Sequence, residues 1–202
     1  MALKRIFVIV VLLLLSITYG SAQTTDDGLL NRFETSLKAM GCYCVEFVVA
    51  FEEHSSKGRY VVDGDDFYVQ SEGVEVYVSD GVKYEVNGSR KEITIDGVAS
   101  LGSDIISNPS RGFATLAEGY DVVATEVEGR KVLHLTPKSV TGSQATERIV
   151  VAADASGELP SSVRYEMGSD AIEIRITSIT KAEKLPRYRA EDYGGFEVVD
   201  LR

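Results

Sequence analysis

The sequence predicts a mainly β (α+β) fold: a strongly curved antiparallel sheet of about 11 strands that forms an incomplete barrel, with two or three short helices as a lid. Two patterns indicate this fold. Short runs rich in Val, Ile, Tyr and Thr alternate with turn dipeptides such as Asp-Gly and Asn-Gly, and one helical pattern precedes them. The 202 residues are 44% apolar, which suffices for one substantial core. We therefore expect a single domain over residues 23–202.

The N-terminus has the pattern of a secretory signal peptide over residues 1–22. Two basic residues precede an apolar run over residues 6–15, and small residues precede a cleavage point after Ala22. The run is about half of the ~20 residues that span a bilayer, which favours a cleaved signal over a retained anchor. The next residue, Gln23, is not the Cys that a bacterial lipoprotein acylates. We expect an exported periplasmic protein without a lipid anchor.

The charge balance argues against nucleic-acid binding. The chain has 21 basic and 31 acidic residues and a net charge of −10, and no basic stripe that could contact phosphates. Residue patterns typical of catalytic sites are also few. No Gly-x-Ser-x-Gly motif occurs, and the two histidines, His54 and His134, lie in unrelated segments. We predict no enzyme activity, no cofactor and no metal site. The acidic run over residues 63–66 is expected to be a solvated turn rather than a calcium loop.

Cys42 and Cys44 are separated by one residue, so both side chains point to one face of an extended strand. Three states are open in an oxidising compartment: two small, partly buried thiols, a strained disulfide, or pairing with another molecule. A Cys-x-Cys ring is tight, which favours the two thiols.

One amphipathic helix is predicted at the start of the mature chain. Its apolar residues recur at helical spacing and are Leu29, Leu30, Phe33, Leu37 and Met40. Asp26 or Asp27 is available as the N-cap, and Gly41 stands where the helix would end.

The first strand follows this helix directly. Apolar residues occupy alternate positions, namely Tyr43, Val45, Phe47, Val49 and Phe51. Further strands are predicted between turn signals over residues 67–69, 74–78, 82–86, 91–95, 121–127, 131–135, 146–152, 161–167 and 171–180. A second, short helix is indicated by Asn108 and Pro109, a cap and a first-turn proline. Its apolar stripe comprises Phe113, Leu116 and Ala117.

The apolar face of such a sheet must be shielded from water, and two or three short helices can cover only part of it. Incomplete covering would leave a groove suited to an acyl chain, because each buried methylene contributes about 0.8 kcal/mol without directional bonds. Alternatively, the helices seal a dry core and no cavity exists. An apolar sheet face is present in both cases, so periodicity alone leaves both open.

Several residue stretches follow one another in a characteristic order. They are Tyr43-x-Val45-x-Phe47, Phe67, Val78-Ser79-Asp80-Gly81 with Tyr84, Leu135-Thr136-Pro137-Lys138 and Phe196-Glu197-Val198-Val199-Asp200. In this order they resemble the outer-membrane lipoprotein carrier protein (LolA) family over nearly all of the mature chain. The Asn87-Gly88 turn before the stretch over residues 91–95 is similar to the divergent Bacteroidetes-type branch.

This resemblance implies an incomplete barrel, closed by helices, that carries acylated lipoproteins through the periplasm as a monomer. The cargo would come from an inner-membrane ABC-type lipoprotein-releasing complex and pass to an outer-membrane acceptor. The residues that would line the acyl cavity are Tyr43, Val45, Phe47, Val49, Phe67, Ile93 and Ile95. Phe113 and Leu116 would belong to the lid helix.

The alternative is an envelope sensor or structural domain of the same fold that binds lipid or protein without ferrying it. Outer-membrane receptors of this fold class carry a lipid anchor. Gln23 at the first mature position therefore favours the mobile carrier.

Overall fold

The fold is that of a computed structural model, which describes residues 24–25, 28–101, 105, 107–138 and 148–202. The predicted signal peptide and its cleavage point lie outside these residues. The helices and strands in chain order are β1 (Thr24–Thr25), α1 (Gly28–Ala39), β2 (Tyr43–Phe51), β3 (His54–Asp63), β4 (Asp66–Ser71), β5 (Val74–Ser79), β6 (Val82–Asn87), β7 (Glu92–Gly97), α2 (Gly112–Gly119), β8 (Tyr120–Val127), β9 (Arg130–Pro137), β10 (Arg148–Ala153), β11 (Pro160–Met167), β12 (Asp170–Lys181) and β13 (Glu197–Asp200).

All of these strands belong to one sheet, in the order β1-β8-β9-β10-β11-β12-β2-β3-β4-β5-β6-β7-β13. Neighbouring strands are antiparallel except β13, which pairs in parallel with β7. The sheet ends at β1 and β13 and does not close on itself. The predicted class, a mainly β fold with an incomplete barrel and a few helices, is confirmed, although the described residues form 13 strands.

The helix and strand that open the domain also match the prediction. α1 buries Leu29, Leu30, Phe33 and Leu37 along one side. Gly41 then adopts a left-handed φ of +71°, which ends the helix and turns the chain into β2. The candidate N-cap residues, 26 and 27, lie outside the described residues.

Three strands, β1, β3 and β13, are absent from the sequence-based prediction, and β1 comprises only Thr24 and Thr25. β3 has Lys57, Gly58 and Arg59 at its centre and is exposed over much of its first half, so no apolar alternation marks it. β13 has only four residues and pairs with β7 alone. β3 and β13 are stabilised by pairing with their neighbours rather than by their own residue pattern.

α2 begins later than predicted. Asn108 and Pro109 form a turn before it, in which the Asn108 carbonyl accepts a hydrogen bond from the Arg111 amide at 3.2 Å. The helix itself starts at Gly112. A Cβ on Gly112 would stand 2.9 Å from the Ile105 main chain, so the glycine permits a close approach that fixes the helix start.

Apolar side chains form one core between the two helices and the sheet, on what we call the inner face. The helices contribute Leu29, Leu30, Phe33, Leu37, Phe113 and Leu116. The sheet contributes side chains from strands at both ends of the order, including Val122 on β8, Leu133 on β9 and Phe67 on β4. The inner core therefore extends from β8 to β5.

A second core lies on the opposite, outer face. Its buried residues are Val61, Tyr68, Tyr77, Val86, Ile93 and Leu185. The segment over residues 182–196, which we call the strap, covers this part of the sheet before the chain adds β13 at the edge. The ring of Tyr188 in the strap stacks on Tyr84 of β6, with centroids 4.2 Å apart and planes within 9°.

One carboxylate connects the strap to the sheet. Glu75 accepts hydrogen bonds from the hydroxyls of Tyr68 at 2.6 Å, Tyr193 at 3.0 Å and Tyr77 at 3.2 Å. Arg187 adds an ion pair with Asp66, at 2.8 Å between Nη1 and Oδ2. The strap is thus held by aromatic stacking, by phenol hydrogen bonds and by one charge pair.

The raised pKa values of the tyrosines around Glu75 predict that the protein loses stability at alkaline pH. Burial and the neighbouring Glu75 raise the pKa of Tyr68 and of Tyr77, and burial raises the pKa of Tyr193 to about 12. Because unfolded tyrosine has a pKa near ~10, this stabilisation is complete below about pH 10 and is lost as the pH rises through the folded values. We expect the urea midpoint to be constant from pH 7 to about 9 and to fall above about 10. A Tyr193→Phe variant should show a shallower fall, and a midpoint unchanged to pH 11 would contradict the assignment.

Candidate functional site

Five of the predicted cavity residues do lie together. Tyr43, Val45, Phe47 and Val49 alternate along β2, and Phe67 stands on β4 across Val62. All five belong to the inner core or pack against it, and Phe67 has no exposed surface. With the helices in place, this part of the inner face is closed.

Ile93 and Ile95 do not share that face, so the prediction that they line the same surface is wrong. Ile93 is paired with Val86 and Ile95 with Tyr84, and these side chains lie in the outer core under the strap. Thr94 lies between them on the other side of the strand, beside Glu85. The buried side of the sheet therefore changes from the inner face to the outer face near β6.

The two predicted lid residues lie on α2 and pack against the inner face of the sheet. Phe113 and Leu116 of α2 are buried in the inner core. The ring of Phe113 meets that of Phe33 on α1 edge to face, with centroids 5.7 Å apart. The side-chain hydrogen bonds of α1 run within the helix, as from Thr35 to the Asn31 carbonyl at 2.7 Å. Apolar contacts thus join α1 to the sheet, and such contacts have no fixed direction.

A cavity opens on the inner face beside the closed region. It has a volume of about 210 Å³ and is lined by Val69, Ser71, Val74, Val76 and Ser107. The three valines are inner-face residues of β4 and β5, so its lining is mostly apolar. The sequence patterns do not reveal this cavity, since its lining combines two strands with Ser107 from a later segment.

Phe47 lies on the inner face over a glycine of the next strand. Gly58 is the partner of Phe47 on β3, and Ser71 and Val74 continue the same row of paired residues. A Cβ on Gly58 would lie 2.5 Å from two carbon atoms of the Phe47 ring. The ring therefore occupies the space that a side chain at Gly58 would fill. Tyr60 packs beside it, with ring centroids 5.9 Å apart.

Two buried phenols lie on this face, and one ion pair stands beside the cavity. Burial raises the pKa of Tyr43 and of Tyr60 well above that of free tyrosine. Glu85 and Lys83 of β6 stand on the inner face opposite Val76 and Val78, with Oε2 and Nζ 3.8 Å apart. Within the described ranges, no group of three or more His, Cys, Asp or Glu residues could hold a metal ion. The lining of the cavity itself is neutral and mostly apolar, which suits hydrocarbon.

Cys42 and Cys44 are free thiols on the outer face. Burial raises the pKa of both side chains, which lowers the thiolate fraction at neutral pH. Of the three states left open above, the structure has the two separate, half-buried thiols. They pack against the strap and lie opposite the inner face.

The acidic run over residues 63–66 forms the tight turn that was predicted. Asp63 and Asp66 pair at the ends of β3 and β4, and Gly64 has a φ of +64°. Asp66 forms an ion pair with Arg187 of the strap. The same Asp66 also accepts a hydrogen bond from the Asp80 amide at 3.3 Å.

Among the helices that the structure describes, none has the length and apolar character needed to cross a membrane.

No protein-family model matches the chain, and no curated protein matches it. Among solved structures, an uncharacterized conserved protein from Thermus thermophilus is similar, with a TM-score of 0.56 and 11% identity. The match covers 88% of this chain and 99% of the Thermus protein. That likeness shows the fold alone.

Two other solved structures are similar to a lower degree. A LolA superfamily protein from Nitrosomonas europaea has a TM-score of 0.39 and 10% identity, over 84% of this chain and 97% of its own. LprF from Mycobacterium bovis has a TM-score of 0.46 and 12% identity, over 83% of this chain and 99% of its own.

Proposed function

We propose that the protein is a carrier that binds acyl chains on the inner face of its sheet. The observation that carries this proposal is the apolar cavity between β4, β5 and Ser107, which continues an inner core covered by two helices. A neutral, mostly apolar lining suits hydrocarbon and offers little to a polar metabolite.

The inner-face side chains would line the enlarged site when the helices move aside. These residues are Tyr43, Val45, Phe47, Val49 and Phe67, and the helices that move would carry Phe113 and Leu116. Exposing the six buried apolar side chains of α1 and α2 would cost about 9–18 kcal/mol, at ~1.5–3 kcal/mol each. Burying about 16 methylenes would return about 13 kcal/mol, at ~0.8 kcal/mol each. Long acyl chains can therefore displace the helices, whereas short ones cannot.

An acylated lipoprotein carries long acyl chains and is the cargo that we propose. The resemblance in the sequence supports the same cargo. We propose with it a periplasmic carrier formed by a single domain over residues 23–202, after removal of residues 1–22. On this proposal it receives lipoproteins from an inner-membrane ABC-type releasing complex and delivers them to an outer-membrane acceptor.

A charge placed in the cavity tests this proposal. Val76→Glu puts a carboxylate against the proposed chain at a half-buried position, so the protein should remain folded. We expect its affinity for a fluorescent fatty-acid probe to fall at least about tenfold, because a bound alkyl chain would remove water from the carboxylate without offering it a partner.

The matched control is Val150→Glu, which makes the same change at a half-buried position on the outer face of β10, beside Arg164. Its affinity for the probe should equal that of the wild type. Equal loss in both variants, or no loss in either, would overturn the proposed site.

A further inference from the structure

We propose that the exposed edge of β3, over residues 54–57, binds the extended polypeptide next to the acylated residue of a lipoprotein, while the acyl chain lies in the apolar cavity. This inference rests on the proposed function and deepens it, because it names the part of the protein that recognises the polypeptide. It follows from a strand edge that has no neighbour, from a polar concavity beside it, and from one residue that lines both this concavity and the apolar cavity.

β3 is longer than the strand that follows it in the sheet. It pairs with β2 from His54 to Val62, whereas β4 pairs with it only from Gly58 onwards, because the chain turns into β5 after Ser71. Among the residues that the structure describes, no strand pairs with the free side of residues 54–57. This stretch is mostly exposed, so an extended ligand can reach it.

The hairpin between β2 and β3 determines which main-chain groups face this free side. Its loop has two residues, and the pair that flanks such a loop, Phe51 and His54, is hydrogen-bonded. Hydrogen-bonded and non-hydrogen-bonded pairs alternate along an antiparallel ladder, so the N–H and C=O groups of Ser55 and Lys57 point away from β2. The free edge spans about 13 Å, at ~3.3 Å per residue, which a peptide of about five residues covers.

A polar concavity lies at the corner where β4 turns away from β3. Its volume is about 560 Å³, and this corner is formed by Lys57, Gly58, Ser71, Glu72 and Gly73. Its other polar lining residues are Glu46, Arg59 and Gln70. The two carboxylates and the two basic groups give the lining no net charge. Such a surface suits the polar, uncharged main chain of a peptide better than hydrocarbon.

Ser71 connects this concavity to the apolar cavity. It is the last residue of β4 and lines both, the concavity together with Glu72 and the cavity together with Val74. A ligand that passes around the end of β4 therefore meets an apolar surface on one side and a polar surface on the other. This arrangement matches an acylated polypeptide, in which a hydrocarbon chain is joined covalently to peptide groups.

Pairing with a strand edge recognises the main chain of a ligand rather than its side chains. Polypeptides that differ in sequence and carry the same acyl group can therefore share this site. Lys57 places a charge on the edge, and charged side chains on a free edge disfavour pairing between copies of one protein. The edge thus stays available to a ligand that the acyl chain brings to it.

The test compares two ligands that differ in their peptide part, N-palmitoylglycine and an N-palmitoyl hexapeptide that begins with glycine and continues with serine and alanine. Both are measured by displacement of a fluorescent fatty acid. The wild type should bind the hexapeptide about tenfold more tightly, which corresponds to one or two net hydrogen bonds. A hexapeptide methylated on every peptide nitrogen after the glycine should lose this advantage, because it cannot donate to the edge.

Ser55→Pro removes one N–H group on the free side and leaves the ladder between β2 and β3 intact. Its ring also obstructs an approaching strand. This variant should bind both ligands equally, with the affinity of the wild type for N-palmitoylglycine. Ser55→Ala keeps the N–H group and should behave as the wild type does, and circular dichroism verifies folding in each protein.

The matched control is Glu126→Pro, which makes the same kind of change at an exposed position of β8, beyond the residues that pair with β1. The two-residue loop after β8 places the N–H group of Glu126 on the free side by the same alternation. This variant should keep the full advantage of the hexapeptide.

The outcomes separate this inference from the proposal beneath it. If neither ligand binds the wild type, the proposed function fails. If the wild type binds both equally, or if the advantage survives in Ser55→Pro or disappears equally in Glu126→Pro, the acyl site stands and only this inference is overturned. The methylated ligand tests the same hydrogen bonds in the unaltered protein, so retention of its tenfold advantage also overturns the inference if Ser55→Pro does not fold.

Discussion

Replacing Phe67 by glutamate is expected to destabilise the protein by at least about 4 kcal/mol, the largest effect we predict for a single substitution. The side chain has no exposed surface and is packed between Val62 and Val78 on the inner face. A carboxylate there finds no cationic partner, so it must be desolvated or protonated, and both cost free energy. Urea unfolding monitored by circular dichroism measures the loss.

The comparison with Val76→Glu makes this prediction specific. Both positions face inwards on neighbouring strands, yet Val76 lines the cavity and Phe67 lies in the closed core. We expect a folded Val76→Glu protein with weak probe binding and a largely unfolded Phe67→Glu protein. A Phe67→Glu variant as stable as Val76→Glu would show that the inner face is open at Phe67 as well and that the closed core is misassigned.

The second large effect is expected in the strap. Leu185→Asp should destabilise the protein by about 3 kcal/mol or more, because Leu185 is buried in the outer core with Val61 and Tyr68. The charge would separate the strap from the sheet and expose the tyrosines. The near-ultraviolet circular dichroism of these rings should weaken together with the urea midpoint.

Ala190→Asp is the control in the same segment, since Ala190 is exposed at the start of a short 3-10 turn. Its stability should stay within about 0.5 kcal/mol of the wild type. If both variants unfold at the same urea concentration, the strap contributes little and the second core is not a stabilising unit.

Elements that depend on a local residue pattern are the ones that the sequence predicts most accurately. The spacing of apolar residues and Gly41 together predict α1, its end and β2. Such patterns show that one side of a strand is buried, and they do not show which side of the sheet this is. Ile93 and Ile95 illustrate the limit. The strand pattern predicted for these two residues is correct. Their side chains point to the outer face, because the strap, which follows about 90 residues later in the sequence, buries them there.

The cavity is beyond prediction from periodicity for a related reason. Its lining combines side chains of two paired strands with Ser107 from a later segment. This combination is not visible within a single segment. The resemblance in the sequence indicates correctly that Phe47 and Phe67 face the same way, yet it does not separate the closed part of that face from the open part.

The most direct test of the central claim is to map where an alkyl chain lies on the protein. A fatty acid with a diazirine at its chain end would be bound, photolysed and located by peptide mass spectrometry. Our account predicts covalent labelling on the inner face of β4 and β5, at Val69, Val74 or Val76, and on Phe47 as the chain lengthens. Labelling confined to the strap and the outer face, or a labelling pattern unaffected by excess unlabelled fatty acid, would contradict it.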